Sequence, residues 1–174
     1  MVIETGNIIL STLTLVGNIF IILFLVHALY IKLFSKENKI SKFFTKNALK
    51  FSLITALMAM LGSLFYSEIA NYTPCELCWY QRILMYPLVL ILGIALYKKD
   101  YKIKNYVIPI SIIGSLIALY HYSIQRLSII TSCSADAVSC TSKYAFHYGY
   151  ITIPLMAFTA FMMIIIFMHH CKNK

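Results

Sequence analysis

Charge is what this sequence has least of. Only 12% of its 174 residues are Asp, Glu, Lys or Arg, and just six are acidic. That is about half the charged share of a soluble domain. With 60% hydrophobic residues and a mean hydropathy of +0.79, a soluble fold of this size could not hide the apolar surface. Gly/Ser linkers, low-complexity tracts and internal repeats are also missing, so a single membrane domain is the simplest organisation. The N-terminus lacks the basic residues of a signal peptide, having only Glu4, and shows no clear cleavage site. Its apolar run is therefore expected to be retained as a helix.

What is present is five apolar segments, running from about Ile8 to Leu33, Phe51 to Ala70, Trp79 to Tyr97, Tyr106 to Ser123 and Tyr150 to Met168. Each approaches the ~20 residues that cross a ~30 Å hydrocarbon core as a helix. The fold class expected is all-α integral membrane.

The net charge of +9 would suit nucleic acid, but its distribution argues for topology instead. Lys32, Lys36, Lys39, Lys42, Lys46 and Lys50 lie between the first two segments. Lys98, Lys99, Lys102 and Lys104 lie between the third and fourth, and Lys172 and Lys174 in the tail. Twelve of the fifteen basic residues thus fall on one side, leaving Arg82, Arg126 and Lys143 to the other. The positive-inside rule makes the lysine-rich side cytoplasmic, with the N-terminus outside and the C-terminus inside. Nucleic acid is not needed as a partner; the lipid bilayer is.

This topology sorts the five cysteines. Cys75 and Cys78 fall at the outer end of the third segment, and Cys133 and Cys140 in the outer loop after the fourth. Cys171 alone is cytoplasmic. Two close pairs on the oxidising face suggest redox chemistry, structural disulfides or a four-thiolate metal site.

In Tyr72–Arg82, "YTPCELCWYQR", Thr73 is an expected N-cap, Pro74 the first helical residue and Glu76 the partner of a capping box. Cys75 would then sit in the first turn with Cys78 one turn on, at a separation compatible with a disulfide. Helix-start amides and Arg82, four residues after Cys78, would stabilise a thiolate there, the species that reacts in exchange. Arg82 could equally snorkel to headgroups. It also disfavours a zinc ion nearby. His121 and Gln125 share a face near the outer end of the fourth segment, where a histidine is often just an interfacial residue. Trp79, Tyr80, Tyr86, Tyr144, Tyr148 and Tyr150 read as an aromatic belt. Ala59, Ser63 and Ser67, and Gly114 with Ala118, read as close-packing stripes. "HHCK", His169 to Lys172, reads as a short cytoplasmic cap rather than a metal site.

"PCELCWYQRILMYPL", "IIGSLIALYHYSIQ", the second external cysteine pair and "YGYITIPLMA" together resemble the DsbB/BdbC family of disulfide-bond formation proteins, from about Phe51 to Met168. The resemblance implies a DsbB-like four-helix transmembrane bundle over 49–170, with an outer redox loop over 124–150. One additional N-terminal transmembrane helix and a basic linker, 1–48, lie outside the pattern. It further implies a bacterial cytoplasmic (inner) membrane protein that reoxidises a DsbA-like thioredoxin-fold thiol oxidase and reduces ubiquinone or menaquinone. Cys133–Cys140 would be the shuttle disulfide, attacked by the partner at Cys133. Cys140 would then attack Cys75 of Cys75–Cys78, freeing a Cys78 thiolate to donate to the quinone. Arg82, His121 and Gln125 would stand beside the quinone. DsbA-type oxidants near roughly −120 mV need an acceptor of still higher potential, which a quinone supplies. The six residues between Cys133 and Cys140, SADAVS, make a shorter loop than in the longest-studied members, nearer the BdbC-like form. A vitamin-K-epoxide-reductase-like enzyme shares the chemistry but is expected with a fused thioredoxin domain, absent from these 174 residues.

Overall fold

A computed structural model describes residues 2–34, 39–127, 140–141 and 144–171. Cys133 lies outside the described residues, as do Lys143 and the end of the tail. Among the described residues there are five helices: α1 (Val2–Phe34), α2 (Lys39–Leu64), α3 (Glu76–Lys98), α4 (Lys104–Leu127) and α5 (Ile153–His169). A π-helical turn, Phe65–Ile69, continues α2, and a 3-10 turn, Tyr101–Ile103, leads into α4. Among the described residues there is no strand, only an antiparallel bridge between His147 and Ile151.

Lipid offers no partner to backbone N–H and C=O groups, so an apolar chain of this kind must satisfy them internally as helices. Among the described residues four helical stretches are long and apolar enough to span: Val2–Tyr30, Phe43–Ile69, Glu76–Lys98 and Tyr101–Leu127. At 17 residues α5 reaches only about 25 Å. It is nevertheless the best-buried helix, packed between α2 and α4. This is an all-α, multi-pass membrane bundle with an added N-terminal helix.

Several boundaries differ from the sequence reading: α1 starts at Val2 rather than Ile8, and α4 runs to Leu127 rather than Ser123, into the stretch expected as outer loop. α2 begins at Lys39 rather than near Phe51, because the basic linker is itself amphipathic: Lys46 and Lys50 face out while Ala48 and Leu49 are buried. α5 begins at Ile153 rather than Tyr150, because Tyr148 and Gly149 take left-handed backbone and the turn closes on His147.

The core between α2, α3, α4 and α5 is built from Ala56, Leu88, Leu92, Val107, Phe161, Ile164 and Met168. Gly114 and Ala118 do form a packing stripe: a Cβ at Gly114 would run into the Phe161 ring. Two aromatic clusters mark the ends of the bundle. Phe20, Phe44, Phe51 and Phe167 gather beside Cys171, whose carbonyl accepts from Lys104 Nζ at 3.0 Å. His170 caps this end, its Nδ1–H donating to Ile166 O at 3.0 Å and its ring meeting Phe24 edge-on. At the other end Tyr66, Tyr72 and Tyr144 stack, with centroids 5.9 and 4.8 Å apart. Cys75, Cys78 and Cys140 share this second end with the start of α1, so Cys171 is on the opposite side of the bundle from them.

Candidate functional site

The site starts where α3 starts. Asn71 takes a left-handed conformation (φ 53°) that turns the chain out of the π-helical segment. Pro74 then disfavours helical geometry at the residue before it. Helix geometry begins at Glu76, with Cys75 as the N-cap in extended conformation (ψ 173°). The expected Thr73 cap is thus displaced by two residues. An N-cap side chain ordinarily accepts from the backbone N–H of the second or third helical residue. Cys75 makes no such cap bond; its Sγ instead donates to Sγ of the third helical residue, Cys78, at 3.1 Å. The extended N-cap position thus sets the two thiols against each other. This hydrogen bond and burial push the Cys75 thiol up to about 12, against an opposing pull from His121.

α4 delivers the second part. His121 is 1% exposed, and both of its ring nitrogens are engaged. The Gln81 carboxamide N–H donates to Nδ1 at 3.1 Å. The ring proton then belongs to Nε2, which donates to the Cys140 carbonyl at 3.1 Å and lies 3.7 Å from Cys75 Sγ. One histidine thereby joins α3, α4 and the loop that carries Cys140. Gln125, one turn after His121, is buried beside the same space. The donor atoms of Cys75, His121 and Cys140 all lie within 4.8 Å of one another.

Arg82 does not snorkel. Its guanidinium stands 5.5 Å over the Trp79 ring and donates from Nη2 to Ser63 O at 3.1 Å. Ser63 lies just before the π-helical turn that continues α2. Tyr86 OH adds a bond to Ser63 Oγ at 3.2 Å. Ser63 thus anchors two side chains of α3, in addition to the packing its stripe suggested. Tyr86 faces inward, whereas Trp79, Tyr80, Tyr144 and Tyr148 are exposed as a belt requires, Tyr144 also bordering the cavity.

Cys75, Cys78, Arg82, His121, Gln125 and Cys140 all line one cavity of about 420 Å3. Most of its remaining wall is aliphatic or aromatic. That volume lies within the ~300–1,000 Å3 of small-molecule sites, and a few convergent polar groups in an apolar wall is their usual chemistry. Gln81 was missed by sequence reasoning although it lies inside the quoted motif. The available signal was its depth: an amide within an apolar span needs a partner.

Such an arrangement defines a membrane thiol–disulfide protein, with a dithiol at a helix start and a third cysteine held beside it. The chain belongs to the DsbB family: the family model "Disulfide bond formation protein DsbB" matches residues 45–171. It is similar to disulfide bond formation protein C of Bacillus subtilis (strain 168), 53% identical over 126 residues, covering 71% of this chain and 91% of that protein. It also resembles a probable disulfide formation protein C of Halalkalibacterium halodurans, 51% identical over 123 residues, covering 70% and 90%. A probable disulfide formation protein of Oceanobacillus iheyensis is 48% identical over 124 residues, covering 70% and 86%. No solved structure matches this chain. Disulfide bond formation at a membrane is thus its function in outline.

Proposed function

We propose that this protein reoxidises a DsbA-like thioredoxin-fold thiol oxidase through its two cysteine pairs and passes the electrons to a membrane quinone, ubiquinone or menaquinone. The observation that carries this is the convergence of Cys75, Cys78 and Cys140 on one cavity, with Cys140 held by His121. The partner's thiolate attacks Cys133 of a Cys133–Cys140 disulfide, giving a mixed disulfide and a Cys140 thiolate. Resolution by the partner's second cysteine releases the oxidised partner and leaves Cys133 and Cys140 reduced. Cys140 next attacks Cys75 of a Cys75–Cys78 disulfide, forming Cys75–Cys140 and releasing Cys78 as a thiolate. Cys133 then attacks Cys140, restoring the shuttle disulfide and leaving the dithiol Cys75/Cys78. Two electrons and two protons have moved inward at each turn.

A quinone supplies the acceptor for those two electrons and two protons, and the cavity suits one: apolar walls, with Arg82, His121 and Gln125 among its few polar groups. In this arrangement Arg82 offers charge beside Cys78, one helical turn away. Both nitrogens of His121 are occupied by Gln81 and Cys140, so its part is to hold Cys140 over Cys75. The lysine distribution supports an orientation in a bacterial cytoplasmic membrane with these cysteines outside and Cys171 inside. The extent of the family match supports a division into an extra helix with its linker, 1–48, and a bundle, 49–170. The test is anaerobic mixing of the purified protein with a reduced thioredoxin-fold partner and a quinone. Stoichiometric quinol is expected; a partner left reduced and no quinol would leave both pairs as structural disulfides.

One observation favours a second reading. Cys75, His121 and Cys140 are close enough to share a metal ion, with Cys78 adjacent to Cys75. A zinc site would require four-coordination with thiolates and Nε2, the nitrogen that here carries the proton to Cys140 O. Metal analysis with thiol counting separates the two: two disulfides and no zinc is the oxidase result.

A further inference from the structure

α1 lies wholly outside the region that matches the family, which begins at residue 45. It is nonetheless docked at three heights. Near its start, Thr12 Oγ1 and Tyr148 OH are 3.0 Å apart. At mid-height, Thr159 Oγ1 of α5 donates to Asn18 Oδ1 at 2.8 Å. Beyond it, the Phe20 ring packs on Phe44 and Phe167, at 5.5 and 5.6 Å. Gly17 allows the close approach: a Cβ there would meet Thr159 Cγ2 at 3.1 Å and Met163 Sδ at 3.3 Å. A helix merely passing through lipid beside the bundle needs neither the glycine nor the interhelical hydrogen bonds.

The cavity explains why this docking has consequences. Leu10, Leu13, Thr14, Gly17 and Phe20 of α1 form part of its wall, together with Met58 of α2 and Met163 of α5. From Leu10 to Phe20 a helix advances about 15 Å. The space is therefore a slot that leads from the sulfurs and Arg82 down between α1 and the bundle. The end beside the thiols holds the polar groups; the remainder is apolar.

We propose that α1 supplies one wall of a tail subsite, which holds the first units of an isoprenoid-type tail between α1, α2 and α5 while the redox ring lies at Cys78. The inference rests on the quinone reading above and adds which part of the acceptor this chain recognises beyond the ring. Lipid is as apolar as the slot, so burial itself gives no advantage there. Selection comes from shape, and the wall made by α1 is what confines the tail.

The test uses the full chain in detergent–lipid micelles and two readouts. A quinone whose tail carries a photoactivatable diazirine should label α1 between Leu10 and Phe20, as read by peptide mass spectrometry. Thr14→Phe, which puts a ring into the slot, should lower that labelling about tenfold, equivalent to ~1.4 kcal/mol. It should raise KM for the long-tailed quinone by a similar factor, and by more than it raises the KM of a tail-less analogue. Thr14→Ser, which keeps the hydroxyl that bonds Leu10 O, should behave as wild type. Wild-type labelling confined to other helices overturns the proposal, as does a Thr14→Phe protein of wild-type thermal midpoint with unchanged labelling and KM. If Thr14→Phe does not fold, wild-type labelling decides alone. Quinone turnover without label on α1 sinks the tail subsite and spares the oxidase reading. Label on α1 with no quinone turnover does the reverse.

Discussion

The Nε2–H of His121 donates to the carbonyl oxygen of Cys140 at 3.1 Å, while the same nitrogen lies 3.7 Å from Cys75 Sγ. A single buried ring therefore positions one cysteine of the loop over the cysteine it is proposed to attack. Loop cysteines otherwise depend on chance encounter, and fixing the reacting pair removes an entropic part of the barrier.

Cys78→Ser should abolish quinone reduction and arrest the relay at Cys75–Cys140. Non-reducing peptide mapping after one cycle with reduced partner should recover that disulfide. Finding Cys78→Ser turning over at wild-type rates would remove Cys78 as the terminal donor.

Gln81→Leu removes the donor that His121 Nδ1 has among the described residues and strands a buried nitrogen, which typically costs about 1–3 kcal/mol. The thermal midpoint should fall by several degrees and kcat by about tenfold, with little change in quinone KM. If Gln81 acts through His121, Gln81→Leu combined with His121→Ala should be no worse than His121→Ala alone. Additive losses would show that Gln81 works through some other contact.

Arg82→Lys keeps the cation but loses the fork that reaches Ser63 O and stacks on Trp79. Quinone KM should rise several-fold, and Arg82→His should raise it further. Wild-type KM in both variants would assign Arg82 to helix packing alone.

Cys75, at about 12, lies well above an ordinary thiol, so it stays protonated through neutral and mildly alkaline pH. A raised value disfavours the thiolate, and thiolate is what alkylates. In the reduced protein, iodoacetamide at about pH 8 should leave Cys75 unmodified, with its reaction appearing only as pH climbs towards that value. Rapid modification of Cys75 at neutral pH would contradict the hydrogen bond to Cys78 described above.

Much of this was legible from residue order. Apolar runs near 20 residues gave the helices, and the lysines sorted their ends. The CxxC beside Arg82, with His121 and Gln125 one turn apart, indicated the residues that the cavity gathers. The N-cap was not legible. Thr73-Pro74-x-Glu76 satisfies the usual signature, but the competing cap at Cys75 puts its sulfur against Cys78. Ser63 was read as spacing because a backbone carbonyl that accepts from a side chain of another helix has no sequence signature of its own.

The sequence by itself determined that the chain must be helical and membrane-embedded, and that four of its cysteines fall in two close pairs, because periodicity, hydrophobic length and spacing are local properties. Tertiary structure alone decided which partners meet. Gln81 lies 40 residues from His121, and Cys140 lies 19 residues from it, yet all three form one hydrogen-bonded line. Asn18 reaches Thr159 across 141 positions, which turns an unassigned N-terminal helix into a wall of the cavity. Such contacts depend on helix rotation and close approach set by the whole bundle, and no short stretch of sequence encodes them.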